Sequence, residues 1–286
     1  MKAAGFWTWW NQFSPLPFAA CVDRAKKCDG VIMKANYWTQ FDAFKAAGAP
    51  VAVERYVYPA QPLQEARYLA EGIQRGARFA VVNAEVEWDN LGSASGAPMK
   101  QLLDELERLA PGVEVYASVD TRGSRTSLPY QQVLIDRCTA VMPMIYPKAF
   151  RPSEPPGFVA AAFRDCLDSG QDFQGKPVLP TIQAYDQIGA EDVRAQFKES
   201  DRRGFLGCNL YTVGHASLDE WAAFARLVDE EKADMGLLEE NAALKSRHVF
   251  AAMIAELAEA NARGQRLPRA TIDQIMYVLA LAKAQG

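Results

Sequence analysis

The segment Asn83-Ala-Glu85-Val-Glu87-Trp88-Asp89 concentrates carboxyl and amide groups in a short stretch. On a β-strand, side chains two apart point to the same side. Asn83, Glu85 and Glu87 would then share one face, with Val82, Ala84 and Val86 on the other. Carboxylates held side by side push one another's pKa upward, which keeps a proton donor protonated near neutral pH. Cleavage of a glycosidic bond needs such a pair. One group protonates the leaving oxygen, while the other stabilises the developing cation or activates water. The same residues also suit a structural cluster, in which Glu87 or Asp89 caps the following helix or pairs with Arg55.

Flat rings accompany these carboxyl groups. Trp7, Trp9, Trp10, Tyr37, Trp38, Trp88 and Tyr211 all fall at or just beyond the ends of apolar runs. A pyranose has apolar faces and polar edges, so it stacks on such rings while its hydroxyls reach nearby polar groups. On this reading the substrate contacts are Trp7, Trp9, Asn36, Tyr37, Arg55, Tyr58, Trp88, Asp120, Tyr185, Asp186 and Tyr211. Any single aromatic among them reads first as core filling, whereas the group as a whole favours a carbohydrate platform.

Other chemistries are poorly supplied. His215 and His248 are the only histidines, too few for a multi-histidine metal site. There is no G-x-G-x-x-G, G-K-[ST] or G-x-S-x-G pattern, so neither a phosphate-cradling loop nor a nucleophile elbow is expected, and no cofactor is implied. A net charge of −4 without a basic block argues against nucleic acid. No apolar run approaches the roughly 20 residues that span a bilayer, so no membrane partner is expected. The N-terminus lacks the basic-then-apolar pattern of a signal peptide, and the five cysteines form no C-x-x-C pair. Reduced, mostly buried thiols and synthesis in the cytoplasm follow.

The elements that must position these groups show as an alternation. Strand-like apolar runs cover 4–10, 30–36, 50–58, 78–87, 113–119, 140–146, 177–184 and 205–213. Helical patterns lie between them at 18–27, 38–47, 63–75, 99–109, 130–137, 156–169, 190–202 and 218–230. Strands without internal polarity, such as Val31-Ile-Met33, are expected where both sheet faces are covered. Eight such units in strict alternation predict a (β/α)8 TIM barrel over residues 1–230, with its site at the carboxyl ends of the strands. Residues 231–286 carry no strand signal and read as a helical C-terminal extension. Leu237, Asn241 and Leu244 stand at near-heptad spacing, so this extension either packs as a helical appendage or mediates homo-oligomer or other assembly.

Strand four resembles two groups of barrel glycosidases. Asn83-x-Glu85-x-Glu87 is similar to the D-x-D-x-E of family-18 chitinases, and Met144-Ile-Tyr146 to their sixth-strand M-x-Y-D, although Pro147 stands in place of the aspartate. Glu85-Val-Glu87 resembles the D-x-E of family-25 lysozymes, as do Val31-Ile-Met-Lys34-Ala and Ala46-Ala-Gly48-Ala-Pro-Val-Ala on strands two and three. The resemblance covers roughly residues 1–225. It implies a glycoside hydrolase acting on an amino-sugar polymer, peptidoglycan or chitin, with Glu87 as general acid, Glu85 and Asn83 beside it and Tyr146 assisting. Together with the N-terminus, it implies a phage-type lysin, released or virion-associated. Strand one lacks the aspartate of family-25 enzymes, and Glu85 replaces the aspartate that orients a chitin acetamide. The alternative is a barrel that binds glycan, or serves in an assembly, without cleaving it.

Overall fold

A computed structural model describes residues 5–122, 127–150, 159–167, 173–205 and 207–234. The apolar runs form the strands β1 (Gly5–Trp10), β2 (Gly30–Lys34), β3 (Val51–Tyr56), β4 (Ala80–Asn83), β5 (Val115–Val119), β6 (Ala140–Ile145), β7 (Thr181–Gln183) and β8 (Gly207–Tyr211). All neighbours pair in parallel, and β8 returns to β1 to close the barrel. The crossovers carry α1 (Phe18–Lys27), α2 (Trp38–Ala46), α3 (Pro62–Gln74), α4 (Val86–Asp89), α5 (Gly96–Leu109), α6 (Pro129–Arg137), α7 (Pro147–Phe150), α8 (Val159–Leu167) and α9 (Ala190–Arg202). A tenth helix, α10, spans 218–234. The TIM barrel expected from the alternation is therefore the observed fold.

Side-chain parity sorts the strands into two packed regions. Phe6, Val31, Met33, Val51, Val53, Val82, Ala117, Val141 and Leu210 face outward and meet the apolar stripes of the helices. Trp7, Trp9, Ile32, Ala52, Val81, Tyr116, Met142 and Leu179 fill the barrel itself. Low in the barrel, Phe79 stacks on Tyr116 with centroids 4.1 Å apart, and Trp7 meets Phe79 edge-on at 4.7 Å. Space there is tight enough to require glycine at position 30. A Cβ on Gly30 would lie 2.5 Å from the Trp7 ring and 2.3 Å from the Pro50 carbonyl oxygen, and its φ of +148° suits glycine alone. This plug fills the barrel below its carboxyl-end face.

Two expectations need correction. The strand expected over 78–87 stops at Asn83, and Val86–Asp89 turns into the one-turn helix α4. Glu85 and Glu87 therefore do not continue one strand face from Asn83. The strict alternation is also interrupted by the short helices α4 and α7. All five cysteines are buried, and none of them is in a disulfide. The chain divides into two compact units, Met1–Val228 and Asp229–Gly286. The heptad-like segment at Leu237–Leu244 and the helices expected after it lie outside the described residues.

Candidate functional site

A cavity of about 230 Å³ opens at the carboxyl ends of β8, β1, β2, β3 and β4. Its charged lining comes from two inward strand positions and the turn after β4: Lys34 ends β2, Glu54 lies on β3 and Glu85 precedes α4. Trp9, Tyr37, Tyr56 and Tyr211 supply rings, and Asn11, Gln12 and Asn83 supply amides.

Glu54 is the centre of this set. In Val51-Ala-Val-Glu-Arg-Tyr56, Val51 and Val53 face the helices, while Ala52 faces the barrel. Parity therefore sends Glu54 inward with Ala52 and Arg55 outward with Val53. Glu54 is only 6% exposed, and burial pushes its carboxyl up to about 7. Lys34 and a hydrogen bond with Asn83 oppose that rise, while the charge of Glu85 adds to it. Lys34 and Glu54 are register partners on adjacent strands, as are Tyr56 and Asn83. The site thus joins a proton-holding carboxyl group to a second carboxylate across the β3–β4 junction.

The loop after β1 forms one wall. Asn11 Oδ1 accepts from the Phe13 N–H at 3.0 Å and lies 3.4 Å from His215 Nε2. The Tyr37 hydroxyl donates to Gln12 Oε1, and Tyr37 packs edge-on against Trp10. On the far side Trp9 meets Tyr211 at 5.8 Å. Tyr146, Tyr185 and Tyr211 then form a triangle with centroids 5.6 to 5.7 Å apart. Burial holds all three phenols above their ordinary value, so they act as hydrogen-bonding hydroxyls. Two polar atoms of lining residues, Trp9 Nε1 and Asn83 Oδ1, are buried with no hydrogen-bond partner. Such atoms are costly unless a ligand or water meets them.

The residues singled out from sequence separate into three groups. Trp9, Tyr37, Asn83, Glu85 and Tyr211 line the cavity, and Tyr146 and Tyr185 stand beside Tyr211. Glu87, Asn36, Tyr58, Asp120 and Asp186 lie on the same face outside the lining. The Tyr56 hydroxyl donates to Glu87, and Tyr58 packs on Tyr56 at 5.3 Å. Asn36 is exposed in a left-handed backbone conformation. Asp120 is gripped by Arg122 through contacts of 2.9 and 2.7 Å. Asp186 offers its carbonyl to the Lys148 ammonium.

Trp7, Trp88 and Arg55 are placed differently from expectation. Trp7 belongs to the plug low in the barrel. Trp88 is wholly buried, donating to the Val57 carbonyl at 2.7 Å and packing on Tyr130. Arg55 pairs with Glu65 of α3 and lies over Tyr68 at 4.4 Å. Its partner is therefore neither Glu87 nor Asp89. Asn11, Lys34, Glu54 and Tyr56 stand at strand ends in the sequence without an assigned role, and Gln12 is not marked there at all, yet all five line the cavity. The parity of β3 already distinguishes Glu54 from Arg55 and would have found it.

No known family model and no curated protein sequence matches this chain. Solved structures do match its fold. The chitinase of Chromobacterium violaceum ATCC 12472 is 14% identical, with 78% of this chain and 98% of that chain covered and a TM-score of 0.58. A class V chitinase from Nicotiana tobaccum is 11% identical over 78% and 98% of the two chains, with a TM-score of 0.56. The spore cortex-lytic enzyme SleL of Bacillus megaterium QM B1551 is 10% identical over 77% and 73%, with a TM-score of 0.52. The chain shares its barrel fold with these glycoside hydrolases.

Proposed function

We propose that this protein is a glycoside hydrolase acting on an amino-sugar polymer of the chitin or peptidoglycan kind, with Glu54 and Glu85 as its working carboxyl groups. The observation that carries the reading is the buried Glu54, poised at about 7, facing one aromatic-walled cavity together with Glu85. At neutral pH a substantial share of Glu54 carries its proton and can donate it to a glycosidic oxygen. Glu85 then stabilises positive charge at the anomeric carbon or activates the water that attacks it. Trp9 and Tyr211 offer faces for the sugar ring, and Asn83 holds Glu54 by a hydrogen bond. The choice of amino-sugar polymers is supported by the neighbours in fold, which include chitinases and a spore cortex-lytic enzyme.

A second reading, a barrel that binds glycan without cleaving it, is favoured by one feature. Glu87, the proton donor that the strand-four resemblance implies, is engaged by Tyr56 and is not part of the cavity lining.

Release of reducing ends from N-acetylglucosamine oligomers and loss of turbidity of peptidoglycan, each with calorimetric binding, separate the two readings. Hydrolysis by the wild type, reduced by about 10²- to 10⁴-fold in Glu54→Gln and Glu85→Gln while binding persists, supports the enzyme. Binding without hydrolysis in the wild type supports the second reading.

A further inference from the structure

We infer that the β1–β2 wall of the cavity selects an acidic sugar, through a carboxylate received by Lys34 Nζ and Trp9 Nε1. This inference rests on the reading of the cavity as a glycan site and narrows the substrate to the carboxylate-bearing class.

Two hydrogen-bond donors on adjacent strands are left without acceptors. Trp9 is 94% buried in the sense that only 6% of it is exposed, it lines the cavity, and its indole N–H has no partner. Lys34 is exposed at the cavity mouth and forms no ion pair with any described residue, although it lies close enough to Glu54 to affect that group. Among the described residues it is the only Lys or Arg in the lining. Trp9 is in register with Ile32, and Lys34 lies two residues further along β2 on the same inward face. Two steps along a strand and one across place the two Cα atoms about 8 Å apart. Both residues line the same cavity, which places the pair on one wall of the proposed ligand space.

The chemistry of the wall decides which ligand group fits. Both donors lack acceptor capacity on these atoms, so a ligand hydroxyl would be used only as an acceptor. A carboxylate has two acceptor oxygens and a charge to match the ammonium. Glu85 stands across the cavity on the β4 side and repels an anion there, while Glu54 beside Lys34 carries no charge when it holds its proton, so an acidic substituent has one favoured side. A neutral chitin-like chain offers the ammonium only uncharged acceptors. A chain with a carboxylate on alternate sugars, such as the lactyl ether of muramic acid, uses it.

The test compares calorimetric affinities for two soluble ligands, neutral N-acetylglucosamine oligomers and peptide-free peptidoglycan glycan strands with their carboxyl groups intact. Strands whose carboxyl groups have been reduced to alcohols serve as the control. The wild type is expected to prefer the intact acidic strand by about tenfold over both other ligands. Lys34→Met should bring that ratio to about one, and Lys34→Arg should retain most of it. A wild-type preference that is absent, or that survives in Lys34→Met, overturns the inference even if hydrolysis occurs. A Lys34-dependent preference without any hydrolysis upholds the inference while the hydrolase reading falls.

Discussion

The Tyr56 hydroxyl donates a hydrogen bond to the Glu87 carboxylate, and that contact divides the acidic groups after β4 into two roles. Glu85 lines the cavity, while Glu87 is tied to a neighbouring strand end from α4. Glu87→Gln keeps an oxygen that Tyr56 can still reach, so it loses about one hydrogen bond's difference in strength. That is on the order of 1 kcal/mol, and turnover should stay within about tenfold of wild type. Glu85→Gln should lower kcat by about 10²- to 10⁴-fold. Initial rates on a soluble oligosaccharide check the order. A larger loss at Glu87 would return the proton donor to α4.

Activity should fall as pH rises through about 7, because Glu54 must carry its proton to act as the acid. The basic limb of kcat/KM against pH reports this group in the free enzyme. A limb several units higher, or one unchanged in Glu54→Gln, would assign the acid to another residue.

The same group makes stability depend on pH. Burial raises Glu54 from an ordinary 4.5 to about 7, so the folded protein holds the proton more tightly than the unfolded chain. Its favourable contribution is complete below about 4.5, declines between 4.5 and 7, and is gone above. The full change is on the order of 3 kcal/mol. Glu54→Gln is neutral throughout and lacks this decline. The melting temperature of the variant minus that of wild type should therefore increase from pH 4.5 to pH 7.5. A constant difference would mean that Glu54 titrates normally.

Arg55 should matter for stability and little for glycan affinity. Its partner Glu65 is 2% exposed, and Arg55→Met would leave that carboxylate buried without its cation. Loss of one member of a buried pair costs about 3–5 kcal/mol. Denaturant unfolding should show that loss while calorimetric affinity for a glycan is retained. A variant that folds as stably as wild type but binds weakly would place Arg55 in the site after all.

The barrel was legible because its signals are periodic and repeated. Phe18–Lys27 and Ala190–Arg202 have the bounds expected from their apolar spacing. Strand four was harder, since Asn83-Ala-Glu-Val-Glu alternates like a strand yet leaves the sheet after Asn83, where α4 begins. Parity gives the side a residue faces but not its depth. Trp7 and Trp9 share a face, but Trp7 lies level with Gly30 in the plug, whereas Trp9 reaches the cavity. Trp88 looked like a rim aromatic because nothing in its local sequence reveals the Val57 carbonyl and Tyr130 that enclose it. Glu54 is hard to single out within its strand for the opposite reason. One charged residue in an apolar run carries little weight until the strand's inward face is assigned.

Glu54 shares one cavity with Glu85, whose negative charge adds to the rise that burial imposes on the Glu54 carboxyl. Carboxyl-carbon NMR of the glutamates, with Glu54 assigned through Glu54→Gln, measures this directly. Wild-type Glu54 should titrate near 7, and Glu85→Gln should lower that value by removing a neighbouring negative charge. Titration near 4.5, or a value indifferent to Glu85→Gln, would contradict the pairing.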